Sequence, residues 1–171
     1  TGSLGVMRYV ILVEGKGSPD ENFLLDLKAS QPSSLLPRLQ AIQGAQPPAT
    51  NEASRIVGNQ KHLQAVDHAF LHAVEFAGRP CVLKDLQPSE DRVAIGNWGK
   101  KIERLRDAAR TMGSVLAWDQ LRASGRRGSA SADDLGEFAA GEKWMLELLE
   151  SSTAMTRLTR QQWEIFRNST L

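Results

Sequence analysis

The spacing of hydrophobic positions changes character once along this chain. Met7-Arg-Tyr-Val-Ile-Leu-Val-Glu14 is a β-branched and aromatic run, apolar on both faces, the pattern of a central strand. Gly15-Lys-Gly-Ser-Pro-Asp20 is a turn cluster. From Asn22 to Lys28 strict alternation takes over, with Phe23, Leu25 and Leu27 on one face and Leu24, Asp26 and Lys28 on the other. The two runs and their turn predict a hairpin over residues 7–28. Residues 29–49 hold Pro32, Pro37, Pro47 and Pro48, and read as a long connection with one helical turn near Leu35 to Ile42. Thr50 or Asn51 then caps a helix running to about Val66, with Ile56, Leu63 and Val66 among its apolar positions and Gly58 in its middle. Ala69 to Phe76, the turn Ala77-Gly-Arg-Pro80, and Cys81 to Leu86 predict a second hairpin in the same sheet.

From about Trp98 the period becomes helical. Ile102, Leu105, Ala109, Met112 and Leu116 mark a long amphipathic helix to about Ala123. Two more helices are expected near Asp133–Glu150 and Ala154–Arg167, after the basic Gly/Ser loop Ser124–Ser131. Strands grouped ahead of helices indicate an α+β fold, a small antiparallel sheet with one helix followed by a helical lobe. The boundary is expected near Pro88–Gly99, giving residues 1–88 as one lobe and 89–171 as the other.

Composition narrows the setting. Apolar residues make up 41% of the 171, enough for a folded core, and the formal net charge of +1 calls for no polyanionic partner. The single cysteine, Cys81, rules out an intramolecular disulfide and suits a reducing compartment; it reads as a small buried hydrophobe. The longest purely apolar run, Tyr9 to Val13, is too short for a bilayer, and no signal-peptide pattern opens the chain. A soluble cytoplasmic protein is the expectation.

Three places carry candidate chemistry. Gly2-x-x-Gly5, directly before the first strand, suits either a phosphate-cradling turn or an ordinary tight turn. Lys28 sits opposite the Phe23/Leu25/Leu27 face, as a phosphate-binding or a solvated edge lysine; Glu52 is the one acid in the following helix, at a position where the macrodipole alone favours it. Asp119 and Gln120 fall where the stripe of the long helix would continue from Leu116, ahead of Arg122, Arg126 and Arg127 and then Asp133 and Asp134. That basic loop binds phosphate or is simply solvated, with Ser131 or Asp133 capping the next helix; spacing favours the cap. The histidines, His62, His68 and His72, form no zinc pattern, no nucleophile triad appears, and the four tryptophans lack the basic field of a nucleic-acid platform.

Several segments, in order, resemble the bacterial family called domain of unknown function 2252. They are Thr1-Gly-Ser-Leu-Gly5, Tyr9-Val-Ile-Leu-Val-Glu-Gly15, Leu25-Asp-Leu-Lys28, Arg55-Ile-Val-Gly-Asn-Gln60, Leu83-Lys-Asp-Leu-Gln-Pro-Ser-Glu-Asp-Arg92 and Leu116-Ala-Trp-Asp-Gln-Leu-Arg122. Members look distantly related to protein kinases and aminoglycoside phosphotransferases. The resemblance therefore implies a kinase-like fold in which Gly2, Ser3 and Gly5 line a nucleotide phosphate site and Lys28 is its lysine. It implies Leu86-Gln87-Pro88 as the hinge between lobes. A phosphotransferase-like enzyme would use ATP and Mg²⁺, with Asp133 or Asp134 holding the metal, and Asp119 is the acid beside the expected catalytic turn, offset by one position from the family pattern. The family usually shows a histidine where this chain has Gln120, and no histidine follows His72, so a kinase-type His-x-Asp loop is missing. The expectation is a nucleotide-binding protein with weak or absent phosphotransfer, or a catalytically silent partner-binding or structural module. Because the first glycine of the loop would precede Thr1, the chain is expected to be a piece of a longer protein, with Thr1–Gly5 mobile.

Overall fold

In the computed structural model, residues 5–41, 49–88, 101–126 and 128–169 are described. Gly2 and Ser3, and most of the expected boundary at Pro88–Gly99, lie outside them. The element order is β1 (Arg8–Val13), β2 (Phe23–Ala29), α1 (Leu36–Ala41), α2 (Glu52–Leu63), β3 (His72–Phe76), β4 (Arg79–Asp85), α3 (Ile102–Ala123), α4 (Ala132–Ala140) and α5 (Lys143–Asn168). The fold is α+β, a four-stranded antiparallel sheet in the order β1-β2-β4-β3 together with helices. By its internal contacts the chain divides into Thr1–Arg127 and Gly128–Leu171.

Both hairpins form where the alternation places them. The β1–β2 turn is closed by side chains: Asn22 Oδ1 accepts from Gly15 N at 3.0 Å, and Glu21 Oε2 accepts from Gly17 N at 2.9 Å. A Cβ on Gly15 would run into the backbone carbonyl of Glu21, so this turn requires glycine there. The β3–β4 turn is the two-residue pair Ala77-Gly78, with φ of 51° and 70°. Positive φ at both positions matches the twist of a hairpin, at a conformational cost for alanine. The second hairpin starts at His72 rather than Ala69. Phe70 takes a φ of 59° in the preceding turn, and Leu71 is buried just ahead of the strand.

Cross-strand register sorts the sheet into two faces. Tyr9, Leu27 and Leu83 oppose one another across β1, β2 and β4, and the same face carries Leu25, Ala29, Cys81 and Val74. Leu27, Ala29 and Cys81 form the core cluster, with Val6, Met7, Val74 and Leu83 packed against it. Cys81 is a buried free thiol, as its apolar setting implies. The other face holds Arg8 opposite Lys28 opposite Val82, and Val10 opposite Asp26 opposite Lys84.

β1 differs from its expected central position. It lies at a sheet edge, and its six residues are all exposed. A run apolar on both faces shows that neither side prefers water, but it does not encode which strand lies alongside. Among the described residues only β2 pairs with β1.

Helix α2 starts where its cap predicts. Asn51 Oδ1 accepts from Ser54 N at 2.9 Å. Ala53, Ile56, Val57 and Gln60 recur at i, i+3, i+4 and i+7 and make one face. Ala53 and Val57 are buried, and α2 packs on β3, β4 and α3.

In the second unit the helix break falls elsewhere than expected. α4 ends at Gly141, whose N–H bonds to Phe138 O at 3.2 Å, and α5 then runs unbroken through Ser151-Ser152-Thr153. Glycine is the poorer helix former, while the hydroxyls here fold back along the helix. Thr153 donates to Leu149 O and Thr156 to Ser152 O, both at 2.8 Å.

Candidate functional site

The polar face of the sheet and the inner face of α2 enclose a recess of about 540 Å³. Arg8, Asp26, Lys28, Val82 and Lys84 form its floor, and Ile56 and Gln60 line it from α2. Ser30 and Gln31, just past the end of β2, complete it. The period-two geometry of three adjacent strands explains this convergence: Arg8, Asp26, Lys28 and Lys84 all share one face.

Asp26 organises the charge. It is 4% exposed and holds Arg8 by two hydrogen bonds, Nε to Oδ1 at 2.5 Å and Nη2 to Oδ2 at 3.0 Å. The hydrogen bonds to Asp26, and then its charge, raise the Arg8 guanidinium above its already high ordinary pKa. This fork-to-fork pairing uses both carboxylate oxygens. Three cations thus surround one carboxylate, leaving the floor with a net charge of two positive. Lys84 lies directly opposite Asp26 in the register yet makes no ion pair among the described residues. The Ser30 hydroxyl is shielded from solvent and has no hydrogen-bond partner among the described residues. A cationic floor with a spare hydroxyl and an amide, Gln60, is suited to an anionic, oxygen-rich ligand.

The candidates from sequence are dispersed. Lys28 lines the recess. Gly5 lies in a turn before β1 with φ of 73°, a backbone that glycine adopts readily. Gly2 and Ser3 lie outside the described residues. Glu52 does not serve Lys28; it binds Arg55, one turn on, with Arg55 Nη2 to Glu52 Oε2 at 2.6 Å. Asp119 is on α3, 3.4 Å from Arg122, and does not line the recess. Gln120 beside it is exposed.

Asp133 and Asp134 begin α4 in the second unit. Asp134 belongs to a capping box: its Oδ2 accepts from Ser131 N at 2.8 Å and from Ser131 Oγ at 2.7 Å, while Ser131 Oγ accepts from Asp134 N at 3.2 Å. The hydrogen bonds from Ser131 side chain and backbone lower the Asp134 pKa. Among the described residues no three His, Cys, Asp or Glu side chains cluster where they could hold a metal ion together. No helix of the described residues is long and apolar enough to cross a membrane.

Asp26, Arg8 and Lys84 were not singled out from sequence. The signal was nevertheless present, since Asp26 and Lys28 share a face of β2 and Lys84 follows Cys81-Val-Leu on a strand of the same sheet.

A family model described as "Uncharacterized protein conserved in bacteria" matches residues 1–169. No curated protein and no solved structure matches the chain.

Proposed function

The chain belongs to the bacterial family of domain of unknown function 2252 (DUF2252), and from the cationic recess on its sheet we propose that it is a kinase-like protein that binds the phosphates of a nucleotide, with little or no phosphoryl transfer of its own. The observation that carries this reading is the position of Lys28: on the second strand, facing a recess that α2 covers with Ile56 and Gln60. In protein kinases a lysine so placed holds the nucleotide phosphates beneath a glycine-rich loop. Here Gly5 ends the glycine segment just before β1, and the order of two strands, the helices α1 and α2, a hairpin and then helices resembles that architecture.

The departures argue for binding over catalysis. A kinase orients its lysine with an acid from the helix; α2 presents Gln60 to the recess instead, and its one acid, Glu52, is paired with Arg55. Asp119 is the proposed catalytic acid, but it is paired with Arg122 and flanked by Gln120, which cannot accept a proton at neutral pH. Asp133 and Asp134 remain the proposed metal ligands, although Asp134 already spends an oxygen on its cap. ATP fits the recess through its phosphates. Any Mg²⁺ would come with the nucleotide, held chiefly by its phosphates and by one or two carboxylates.

A second reading, a silent partner-binding module, draws on one observation. Leu146, Leu149, Ile165 and Phe166 on α5 are each at least 60% exposed, more apolar surface than a helix usually leaves in water.

Thermal shift and calorimetric titration with Mg-ATP test the proposal. Stabilisation of the wild type that is lost in Lys28→Ala and kept in Asp119→Asn supports a binding module. Robust turnover abolished by Asp119→Asn makes the protein an enzyme, and no response to nucleotide leaves the partner-binding reading.

A further inference from the structure

The geometry points to Lys84 as a second ligand-holding cation, which together with Lys28 selects a chain of two or more phosphates over a single one. This rests on the recess being an anion site and extends it to a residue that neither the glycine segment nor the Lys28 position implies.

Lys28 opposes Val82 on β4, and Lys84 stands two residues along from Val82 on the same face. The two lysines are therefore diagonal neighbours, with Cα atoms about 7–8 Å apart and side chains rising from one floor. Between them lies Asp26, which would be the natural partner of Lys84, since the register sets them directly opposite. Asp26 is committed to Arg8 through both oxygens instead. Lys84 is thus half-buried and makes no ion pair among the described residues. A half-buried ammonium that shares one carboxylate with two other cations is costly to hold, and a bound anion reduces that cost. The Ser30 hydroxyl, which has no partner among the described residues, lines the same recess and adds a donor for an anionic oxygen. Two cations at diagonal spacing satisfy successive phosphates together, whereas one phosphate engages them less completely.

The test is calorimetric titration of inorganic pyrophosphate and orthophosphate into wild type, Lys84→Gln, Lys84→Arg and Lys28→Gln, at low ionic strength, with a thermal melt of each. The expectation is that pyrophosphate binds wild type at least tenfold more tightly than orthophosphate. Lys84→Gln should erase that preference, Lys84→Arg should retain most of it, and the melting temperature of Lys84→Gln without ligand should not fall. Pyrophosphate binding lost in Lys28→Gln but unchanged in Lys84→Gln overturns the role of Lys84 and leaves the nucleotide reading standing. Pyrophosphate binding that depends on Lys84 without any affinity for ATP leaves this inference standing and overturns the nucleotide reading. A Lys84→Gln protein that melts much lower, or wild type that ignores both anions and takes an acidic peptide, overturns the inference.

Discussion

Replacing Asp26 by Asn should move stability and anion binding in opposite directions. Asp26 is 4% exposed and its two oxygens are both held by Arg8. Removing one partner of a fully buried pair typically costs ~3–5 kcal/mol, because a charge is left stranded. The Arg8 side chain is 40% exposed, so water reaches the guanidinium and reduces that loss. The substitution also leaves Arg8, Lys28 and Lys84 without their carboxylate, which adds repulsion across the floor. A net destabilisation of about 2 kcal/mol follows. The floor meanwhile gains a full positive charge. For a doubly charged phosphate about 5 Å away in a water-accessible recess, that gain is worth about 1–1.5 kcal/mol, roughly tenfold in affinity. Urea denaturation measures the first quantity and calorimetric titration of ATP the second, repeated at high salt, where the affinity gain should shrink. A urea midpoint unchanged from wild type refutes the structural role of the Arg8–Asp26 pair. Nucleotide binding that weakens in a variant still folded refutes the electrostatic account of the recess.

Other consequences are more local. Asn51→Ala removes the cap of α2 and should cost ~1 kcal/mol in urea denaturation. Ala77→Asn should stabilise by about 0.5–1 kcal/mol, since asparagine tolerates the positive φ that alanine holds in the β3–β4 turn. Gly15→Ala should destabilise the β1–β2 hairpin, read as faster amide exchange in β1, because the added methyl meets the Glu21 carbonyl. The lowered pKa of Asp134 means its contribution to the α4 cap is complete above about pH 4 and fades as pH falls through the folded value; Ser131→Ala should shift the carboxylate titration upward, as followed by NMR.

The elements were legible where periodicity is local. Both hairpins, the Asn51-capped helix and the long helix ending at Ala123 follow from spacing and capping chemistry alone. Two things were not legible. The break between α4 and α5 hinged on whether Gly141 or the Ser151-Ser152-Thr153 run disrupts a helix more, and the hydroxyls found partners inside the helix. The site's organisation is non-local: alternation put Asp26 and Lys28 on one face, but only the register reveals that Arg8 reaches Asp26 and that Lys84 stands opposite it. The one acid of α2, Glu52, pairs with Arg55, whereas the buried carboxylate of the recess, Asp26, comes from the same strand as Lys28.

The most direct test of the central claim is a crystal structure of the protein grown with a non-hydrolysable ATP analogue. The account predicts the phosphates on the polar face of the sheet, between Lys28 and Lys84 and beneath Gln60, with Arg8 still bound to Asp26. A nucleotide seated elsewhere on the molecule, with this recess filled only by solvent, contradicts it.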